Sequence, residues 1–228
     1  MLLPFDELPE EFQNDAVKKY YDILKSKKRS IILKRLLDIF LSVILIIILL
    51  LPIIVLSVAV KCTSKGPVLY KQVRVTTYKK QFKIYKFRTM VENADKIGSL
   101  VTSLGDSRIT KIGHFLRRYR LDELPQLFNV LKGDMSFVGT RPEVMKYVER
   151  YTPAMYSTLL MPAGITSLAS IKFKNEDRML ETSTNIDEDY ITIILPKKMH
   201  YNILYIKNFG VRTDIYLMLK TVKEVLFH

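Results

Sequence analysis

The most constraining feature of this chain is an uncharged stretch from Ile39 to Val60 that contains one proline, Pro52. Roughly 20 apolar residues are enough to cross the hydrocarbon core of a bilayer, so this stretch is long enough to do so. The apolar region of a cleaved signal peptide starts earlier and is shorter, and a soluble core helix fits the stretch less well. The pattern therefore predicts a membrane protein.

Basic residues lie on both sides of this stretch, which argues against a simple crossing. Lys and Arg concentrate on the cytoplasmic side of a spanning helix, yet here they crowd both residues 18–35 and residues 61–88. Pro52 removes one backbone hydrogen bond and its ring clashes with the preceding turn, so the helix can bend there. One topology is a single-pass anchor with a proline kink, since proline is tolerated in transmembrane helices. The other is a re-entrant helix that enters one leaflet and returns, and charge and proline alone leave both open.

The chain is strongly basic, with a net charge of +13 from 36 Lys and Arg against 23 Asp and Glu. Such a charge suits anionic lipids, phosphorylated substrates or nucleic acid. The membrane segment favours the first two, so we expect no nucleic-acid partner. A single cysteine, Cys62, excludes an intramolecular disulfide. The three histidines show no metal-ligand spacing, so no zinc site is expected.

The N-terminal region divides into an acidic part and a basic part. Residues 1–15 hold five acids and no base, and we expect them to be flexible. Residues 16–35 are basic, and Val17, Tyr21 and Leu24 recur at helical spacing. This pattern predicts a helix that lies on or near the membrane.

Beyond the membrane stretch, the pattern predicts a β-hairpin and then helices. Polar and apolar residues alternate over Val68–Val75 and Gln81–Arg88, and Thr76–Lys80 forms the connection. Ile109–Leu131 is typical of two helices with an interruption, which Pro125 marks.

The C-terminal third contains two apolar segments and a charged one. The segment between Met155 and Met161 carries almost no charge and is either core or a helix in the membrane interface. Residues 172–200 are charged, and we expect them to be irregular. Asp214–Leu226 repeats apolar residues on one helical face, which predicts an amphipathic helix.

The densest group of reactive side chains lies at residues 117–127, where arginines precede an Asp-Glu pair and a proline. Proline is disfavoured deep inside a helix but welcome in its first turn. One helix should therefore end near Leu121 and the next should begin around Asp122–Leu124. The start of a helix attracts phosphate, because its free N–H groups and its dipole point at the anion.

Asp122 and Glu123 offer two different chemical roles. Adjacent helical residues point about 100° apart, so the two carboxylates cannot serve one spot. One could attack phosphorus and form an acyl-phosphate, while the other holds Mg²⁺, which prefers carboxylates together with substrate phosphates. The structural alternative is that Asp and Glu favour first helical turns because of the helix dipole alone.

Two further segments bring positive charge. Lys132–Pro142 places Arg141 in a loop framed by Gly and Pro, where it could pair with the oxygens of a transferring phosphoryl group. Lys83–Met90 places Arg88 on a strand. The structural alternatives are an exposed arginine in a loop and a solvated strand face.

Five motifs, in order, carry a resemblance to a known family. They are Lys34–Asp38, Ser64–Val68, Phe82–Met90, Leu121–Leu127 and Lys132–Gly139. The chain closely resembles the monotopic polyprenol-phosphate phosphoglycosyl transferases, the bacterial sugar transferases that begin capsule, exopolysaccharide and glycan assembly. The likeness covers residues 30 to 226, and the ordered set of motifs is far more specific than any one of them.

The resemblance implies roles for individual residues. Asp122 matches the nucleophile of the family, and Glu123 matches the partner that binds Mg²⁺. Arg117 matches an arginine beside the active site, and Arg141 matches the arginine of the Pro-Arg-Pro loop of the family. With Arg88 they make up the expected set that binds substrate phosphates.

The resemblance also bears on topology and on substrate. Asp38 and Pro52 match the start and the break of a re-entrant helix, which favours that topology over the anchor. Thr140 stands where the Pro-Arg-Pro loop of the family has its first proline. Gly164–His200 lacks the Gly-Leu-aromatic-Gln and Asn-Gly-Arg of many relatives, so the identity of the sugar does not follow from the resemblance.

The expected fold is α/β, mostly α, in three parts. Residues 1–33 form a helical, interfacial N-terminal extension, and residues 34–62 form a re-entrant membrane helix broken at Pro52. Residues 63–228 form a compact catalytic domain on the cytosolic side, with a small β-hairpin and interfacial amphipathic helices.

The function that the resemblance implies is the transfer of a phosphosugar from a UDP-sugar to polyprenol (undecaprenyl) phosphate. Asp122 would carry the phosphosugar, UMP would leave, and Mg²⁺ would be the cofactor. The enzyme would lie on the bacterial inner membrane, facing the cytoplasm, with anionic lipids as partners; a homodimer is left open. The rival hypotheses are a lipid-binding scaffold, which would not need Asp122, and a membrane-associated phosphohydrolase, which would pass the phosphoryl group to water.

Overall fold

The computed structural model describes residues 2–94, 106–173 and 185–226, together with Met179, and within them the protein is mostly helical with two small sheets. The α-helices are α1 (Asp15–Ser26), α2 (Lys28–Ile48), α3 (Leu50–Thr63), α4 (Lys111–Arg118), α5 (Gln126–Lys132), α6 (Met145–Val148), α7 (Leu168–Lys172), α8 (Ile186–Asp189), α9 (Leu195–Lys207) and α10 (Val211–Leu226). The strands are β1 (Leu69–Val75), β2 (Gln81–Phe87), β3 (Met135–Val138) and β4 (Ala163–Thr166). Short 3₁₀ helices lie at Phe5–Glu7, Glu10–Phe12, Thr77–Lys79, Leu121–Glu123 and Pro153–Leu160.

The apolar stretch forms two helices, α2 and α3, which meet at an angle of 63°. Among the described residues no single helix is long and apolar enough to cross a bilayer, whereas this bent pair together meets both criteria. The break lies at Leu49 and not at Pro52, where it was predicted. Pro52 cannot donate to the carbonyl of Ile48, four residues earlier, and its ring crowds that group, so the disruption falls one turn before the proline.

Helix α2 combines exposed apolar side chains with buried polar ones. Large apolar side chains are exposed along the helix and around the bend, with Ile47 at 68% and Leu51, at the start of α3, at 70%. In the first half of the helix, Lys34 and Asp38 are buried. Lys34 donates to Asp214 in α10 at 2.8 Å, and the backbone N–H of Phe137 in β3 donates to Asp38 at 3.2 Å. One side of α2 is therefore joined to the rest of the protein by polar contacts.

The predicted hairpin is confirmed. Strands β1 and β2 pair antiparallel, with Leu69 opposite Phe87 and Val75 opposite Gln81. The connection turns through Tyr78 and Lys79, both with positive φ.

A second sheet was not predicted. Strands β3 and β4 pair in parallel, with Met135 opposite Ala163. Beyond the end of β3, Gly139 approaches Gly164 so closely that a Cβ on Gly164 would lie 2.1 Å from the backbone nitrogen of Gly139. Neither position has room for a side chain, so the loop after β3 lies directly against β4.

The N-terminal segment belongs to the main core. Phe12, Val17 and Leu24 are fully buried, and α1 packs on the 3₁₀ helix Pro153–Leu160. That apolar segment is thus part of the core, which was one of the two alternatives. The first residues, expected to be flexible, form 3₁₀ turns, and the N–H of Leu3 donates to the Tyr78 hydroxyl at 3.0 Å.

The charged region before the last helix is more regular than expected. Residues 174–178 and 180–184 lie outside the described part, but residues 186–200 are helical throughout, through α8, a π-helical turn at Tyr190–Ile194 and the first half of α9. Leu195 and Met199 are buried. The charged residues beside them in the sequence obscured this apolar pattern. Helix α10 contains the predicted amphipathic segment, and it leaves Leu219 exposed while Leu217 faces the core.

Candidate active site

The Asp-Glu pair lies in a tight turn between two helices. Helix α4 ends at Arg118, and Arg120 then takes a left-handed conformation with φ 55°, which stops a helix. The 3₁₀ turn Leu121–Glu123 follows, and α5 begins only at Gln126. The two carboxylates were expected in the first turn of the second helix. They lie instead just before α5, in the 3₁₀ turn. A left-handed conformation costs a residue with a side chain about 1–2 kcal/mol, and such local strain is common at functional sites.

Asp122 is buried but faces a cleft. Its exposed fraction is 7%, and it lines a cleft of about 1290 Å³. Among the residues that the structure describes, its carboxylate has no hydrogen bond and no ion pair. Burial, with the negative charge of Glu123 adding to it, raises the pKa of Asp122 above its ordinary value, although Lys86 and Arg117 act in the opposite direction.

Glu123 is held differently. Its Oε1 accepts hydrogen bonds from Lys86 Nζ at 3.0 Å and from Arg141 Nη2 at 2.9 Å. Burial would raise the pKa of Glu123, but Arg141 and Lys86 outweigh it, so the pKa lies well below the ordinary value. The environment thus separates the pKa values of two adjacent carboxyl groups, a pattern that distinguishes chemical roles in active sites.

This separation predicts a stability effect for Asp122→Asn. Because the folded protein raises the pKa of Asp122, it binds that proton more tightly than the unfolded chain does, and the ionised side chain destabilises the fold at neutral pH. The variant should therefore melt higher than the wild type at pH 7, by about 2–4 °C for each kcal/mol that the charge costs. Lowering the pH through the folded-state pKa should close the gap, which melting curves between pH 4 and pH 8 would measure. A gap that is absent at pH 7, or that widens on acidification, would contradict the assignment.

The three predicted arginines line the same cleft as the carboxylates. Arg117, at the end of α4, donates from Nε to the hydroxyl of Thr89 at 2.9 Å. Arg141 contacts Glu123 directly, as described above. Arg88 follows β2 and donates from Nη2 to the carbonyl and the hydroxyl of Ser64, both at 2.7 Å. The structure therefore brings together the five predicted residues of the catalytic domain, whereas Asp38 and Pro52 lie in the bent helix pair.

The loop that carries Arg141 is held on both sides without the proline that Thr140 replaces. The carbonyl of Thr140 accepts from the N–H of Gly164 at 2.9 Å. On the other side, the carbonyl of Pro142 accepts from Arg74 Nη1 at 3.2 Å. Hydrogen bonds to β1 and β4 thus hold the loop in place, although Thr140 replaces the proline that would stiffen it.

A buried ionic group lies behind this loop. Glu143 accepts from the Tyr190 hydroxyl at 2.6 Å and from Lys198 at 3.4 Å. Burial opposes ionisation, but Lys198 and Arg74 prevail and lower the pKa of Glu143. The group joins α9 to the Arg141 loop and lines the same cleft.

Sequence reasoning missed Lys86 as a site residue. It was grouped with neighbouring basic residues whose structural alternative was a solvated strand face. In the structure it is paired with Glu123, and burial lowers its pKa, although Glu123 opposes this. Strand alternation was the available signal, since it places Lys86 and Arg88 on one side of the predicted strand Gln81–Arg88.

The Asp-Glu pair is the candidate site for a metal ion. The described part of the chain contains no group of three or more His, Cys, Asp or Glu side chains that could hold one. Two neighbouring carboxylates do suit Mg²⁺, which is usually bound through one or two carboxylates plus substrate phosphates. Glu123 is the better placed of the two because its charge is maintained.

The known proteins of similar sequence are sugar transferases or sugar phosphotransferases. The sequence model described as bacterial sugar transferase matches residues 29–228. The chain is 38% identical over 199 residues to a UDP-glucose:undecaprenyl-phosphate glucose-1-phosphate transferase of Klebsiella pneumoniae, covering 85% of this chain and 40% of that protein. It is 36% identical over 174 residues to a UDP-N-acetylgalactosamine-undecaprenyl-phosphate N-acetylgalactosaminephosphotransferase of Aeromonas hydrophila, covering 75% and 38%. An uncharacterized sugar transferase of Bacillus subtilis, EpsL, is 35% identical over 195 residues, covering 86% and 88%. The chain thus spans about two fifths of the first two proteins and most of the third.

Proposed function

Because the chain belongs to the bacterial sugar transferase family, we propose that it transfers a phosphosugar from a UDP-sugar to polyprenol phosphate. The relatives named for this reaction use undecaprenyl phosphate as acceptor, and we assign the same class of acceptor here. The observation that carries the proposal is the Asp122 carboxylate, which is buried in the cleft wall without a bonding partner in the described chain, beside a Glu123 that is paired with Arg141 and Lys86.

The first half-reaction uses Asp122 as the nucleophile. A carboxylate oxygen attacks the sugar-bearing phosphorus of the UDP-sugar, the bond from that phosphorus to the bridging oxygen breaks, and UMP leaves with the electron pair. The product is a phosphosugar joined to Asp122 as an acyl-phosphate. A carboxylate engaged in an ion pair would attack poorly, and Asp122 has no ion pair with any residue that the structure describes.

The second half-reaction regenerates the enzyme. An oxygen of polyprenol phosphate attacks the same phosphorus, and the bond to the Asp122 oxygen breaks. The products are polyprenol diphosphate-sugar and the free carboxylate. No oxidant or reductant is needed, and the acceptor dianion supplies the attacking electron pair.

The surrounding cations stabilise negative charge on the transferring phosphoryl group. Arg141 and Lys86 are fixed by Glu123, and Arg117 is fixed by Thr89, so these groups are positioned before the substrate binds. Glu123 would hold Mg²⁺, which supplies further positive charge beside the diphosphate.

We assign the α2–α3 pair to a re-entrant hairpin in the cytoplasmic leaflet of the bacterial inner membrane, which makes the protein monotopic. The 63° bend, the exposed apolar side chains near it and the basic residues at both ends support this assignment. It would place the cleft at the level of the headgroups, where the phosphate of a long-chain lipid resides. Anionic headgroups would be favourable neighbours for a chain of net charge +13.

The topology predicts that both ends of the pair are labelled from the same side. Cys62 is exposed and is the only cysteine in the chain, so it is a native probe at the end of α3. Ser26→Cys in a Cys62→Ser background gives the matching probe before α2. A membrane-impermeant maleimide should label each of them in inverted vesicles and neither in right-side-out vesicles. Labelling of the two positions from opposite sides would establish a single-pass anchor instead.

The function is tested by UMP release from a panel of UDP-sugars, with and without undecaprenyl phosphate and Mg²⁺. We expect one or a few sugars to give a stoichiometric burst of UMP without acceptor and steady turnover with it, together with a lipid-linked product. Release of free sugar phosphate without lipid product would identify a phosphohydrolase. The absence of any release or adduct across the panel would favour a non-catalytic membrane protein.

A further inference from the structure

Arg88 has buried donors that the protein does not use. Its side chain is buried, with 5% of the residue exposed, and Nη2 makes its hydrogen bonds to Ser64. In the described part of the chain, Nε and Nη1 of the same guanidinium have no hydrogen-bond partner. Leaving a buried charged donor unpaired is costly, and such groups call for a ligand or an ion.

The backbone of Gly66 lies directly against the guanidinium of Arg88. Gly66 has φ +109°, and a Cβ at this position would lie 2.5 Å from Nη1 of Arg88. Any other residue would therefore press on the guanidinium. Arg88 also lines the cleft that contains Asp122 and Glu123, so it borders the same space as the catalytic carboxylates.

Arg88 lies between the catalytic turn and the membrane helices. Lys86 lies in β2 and Arg88 comes directly after the strand, where its N–H still donates to the carbonyl of Val68 at 2.9 Å. In extended chain, side chains two residues apart leave the same face about 7 Å apart. Lys86 contacts Glu123, whereas Arg88 contacts Ser64 at the end of α3. The basic face of the strand thus runs from the catalytic pair towards the point where the chain leaves the helix pair.

Part of the cleft wall is apolar and comes from α2 and α10. Leu41 and Leu45 of α2 line the cleft together with Val222 of α10. A ligand that combines a phosphate with a long hydrocarbon chain would match both parts of this surface. The nucleotide donor has no such chain, so only the acceptor could contact the apolar part of the cleft wall with a hydrocarbon chain.

We propose that Arg88 binds the phosphate of the polyprenol acceptor and does not bind the diphosphate of the nucleotide donor. The inference rests on the proposed function and assigns one of its two half-reactions to a specific residue. In the second half-reaction a phosphate anion must approach the phosphorus of an anionic phosphosugar. Arg88 offsets the repulsion between them with its unused donors, and phosphate oxygens are preferred acceptors for arginine.

The two half-reactions can be measured separately. UMP release without acceptor reports the first, and discharge of the Asp122 adduct by added undecaprenyl phosphate reports the second. In Arg88→Gln, the acceptor concentration at half-maximal discharge should rise about tenfold or more, and by at least several times the loss in the UMP burst. Arg88→Lys should recover part of the acceptor affinity, because it keeps the charge but not the planar donors.

Ser64→Ala is the matched control. It weakens the attachment of Arg88 to α3 but leaves the guanidinium in place, so it should not separate the two half-reactions. If Ser64→Ala produced the same separation, the effect would come from a displaced helix and the proposal would be overturned. Equal losses in both half-reactions of Arg88→Gln would also overturn it, since Arg88 would then serve the donor. The absence of a UMP burst in the wild type is a different result, because it contradicts the proposed function itself.

The phosphate specificity has its own test. Phosphatidylglycerol vesicles offer a phosphodiester headgroup, and phosphatidylcholine vesicles offer a zwitterionic one. We expect discharge by undecaprenyl phosphate to be similar in both, because the site takes the monoester of the acceptor. Strong competition by phosphatidylglycerol that disappears in Arg88→Gln would show a general headgroup site and overturn the assignment to the acceptor.

Discussion

Asp122→Asn should lose the UMP burst and steady turnover by at least about a thousandfold, because an amide cannot form the acyl-phosphate. The substitution preserves the size of the side chain and removes a buried charge, so the fold should persist and even gain stability. Intact-protein mass spectrometry after mixing with the accepted UDP-sugar should show the mass of one phosphosugar on the wild type and none on the variant. Peptide mapping should place that mass on Asp122.

Asp22→Asn is the matched control for this experiment. Asp22 lies on the exposed side of α1, away from the cleft, and the same chemical change there should leave both the burst and the adduct intact. Turnover of Asp122→Asn within tenfold of the wild type would show that another group carries the phosphosugar, or that the acceptor attacks the donor directly. Either result would remove Asp122 from the role of nucleophile.

Lys34→Met should produce the largest loss of stability. Lys34 donates to Asp214 at 2.8 Å and to the carbonyl of Val138 at 2.8 Å, and Asp214 also accepts from the Tyr205 hydroxyl at 2.6 Å. Both ends of the ion pair are buried. Removing the lysine leaves an uncompensated carboxylate in the interior, which costs about 3–5 kcal/mol. At about 2–4 °C per kcal/mol, the melting temperature of the detergent-solubilised protein should fall by roughly 6–20 °C.

Two further variants identify the cause of that loss. Lys28→Met makes the same change at an exposed position six residues earlier in α2, and it should leave the melting temperature nearly unchanged. Lys34→Met combined with Asp214→Asn should recover a large part of the loss, because the second change removes the stranded charge. A Lys34→Met variant that melts like Lys28→Met would show that the buried pair contributes little to the attachment of α2.

The features that could be predicted from the sequence are local ones. The β1–β2 hairpin follows from alternation over adjacent segments, and α10 follows from helical periodicity, since each pattern is complete within one stretch of chain. The positions of Asp122, Glu123 and Arg141 followed from short motifs shared with the family. In the structure these three residues line one cleft, as residues of a common site must.

The features that escaped prediction depend on distant residues or on small differences in backbone energy. Pairing of β3 with β4 joins segments separated by two helices, and no local pattern encodes it. The break at Leu49 precedes Pro52 because a proline disturbs the turn before it. Lys86 was indistinguishable from its basic neighbours until β2 and the 3₁₀ turn brought it to Glu123.

The packing of α1 on Pro153–Leu160 has a consequence for the order of events during synthesis. At roughly 5–20 residues per second, the ribosome releases α1 on the order of ten seconds before the segment that covers its apolar face. The α2–α3 pair emerges in that interval, so it can reach the bilayer while the core is still open. Closure of the core would then be a late step, completed by a chain already attached to its membrane, and α1 would be among the last helices to acquire its neighbours.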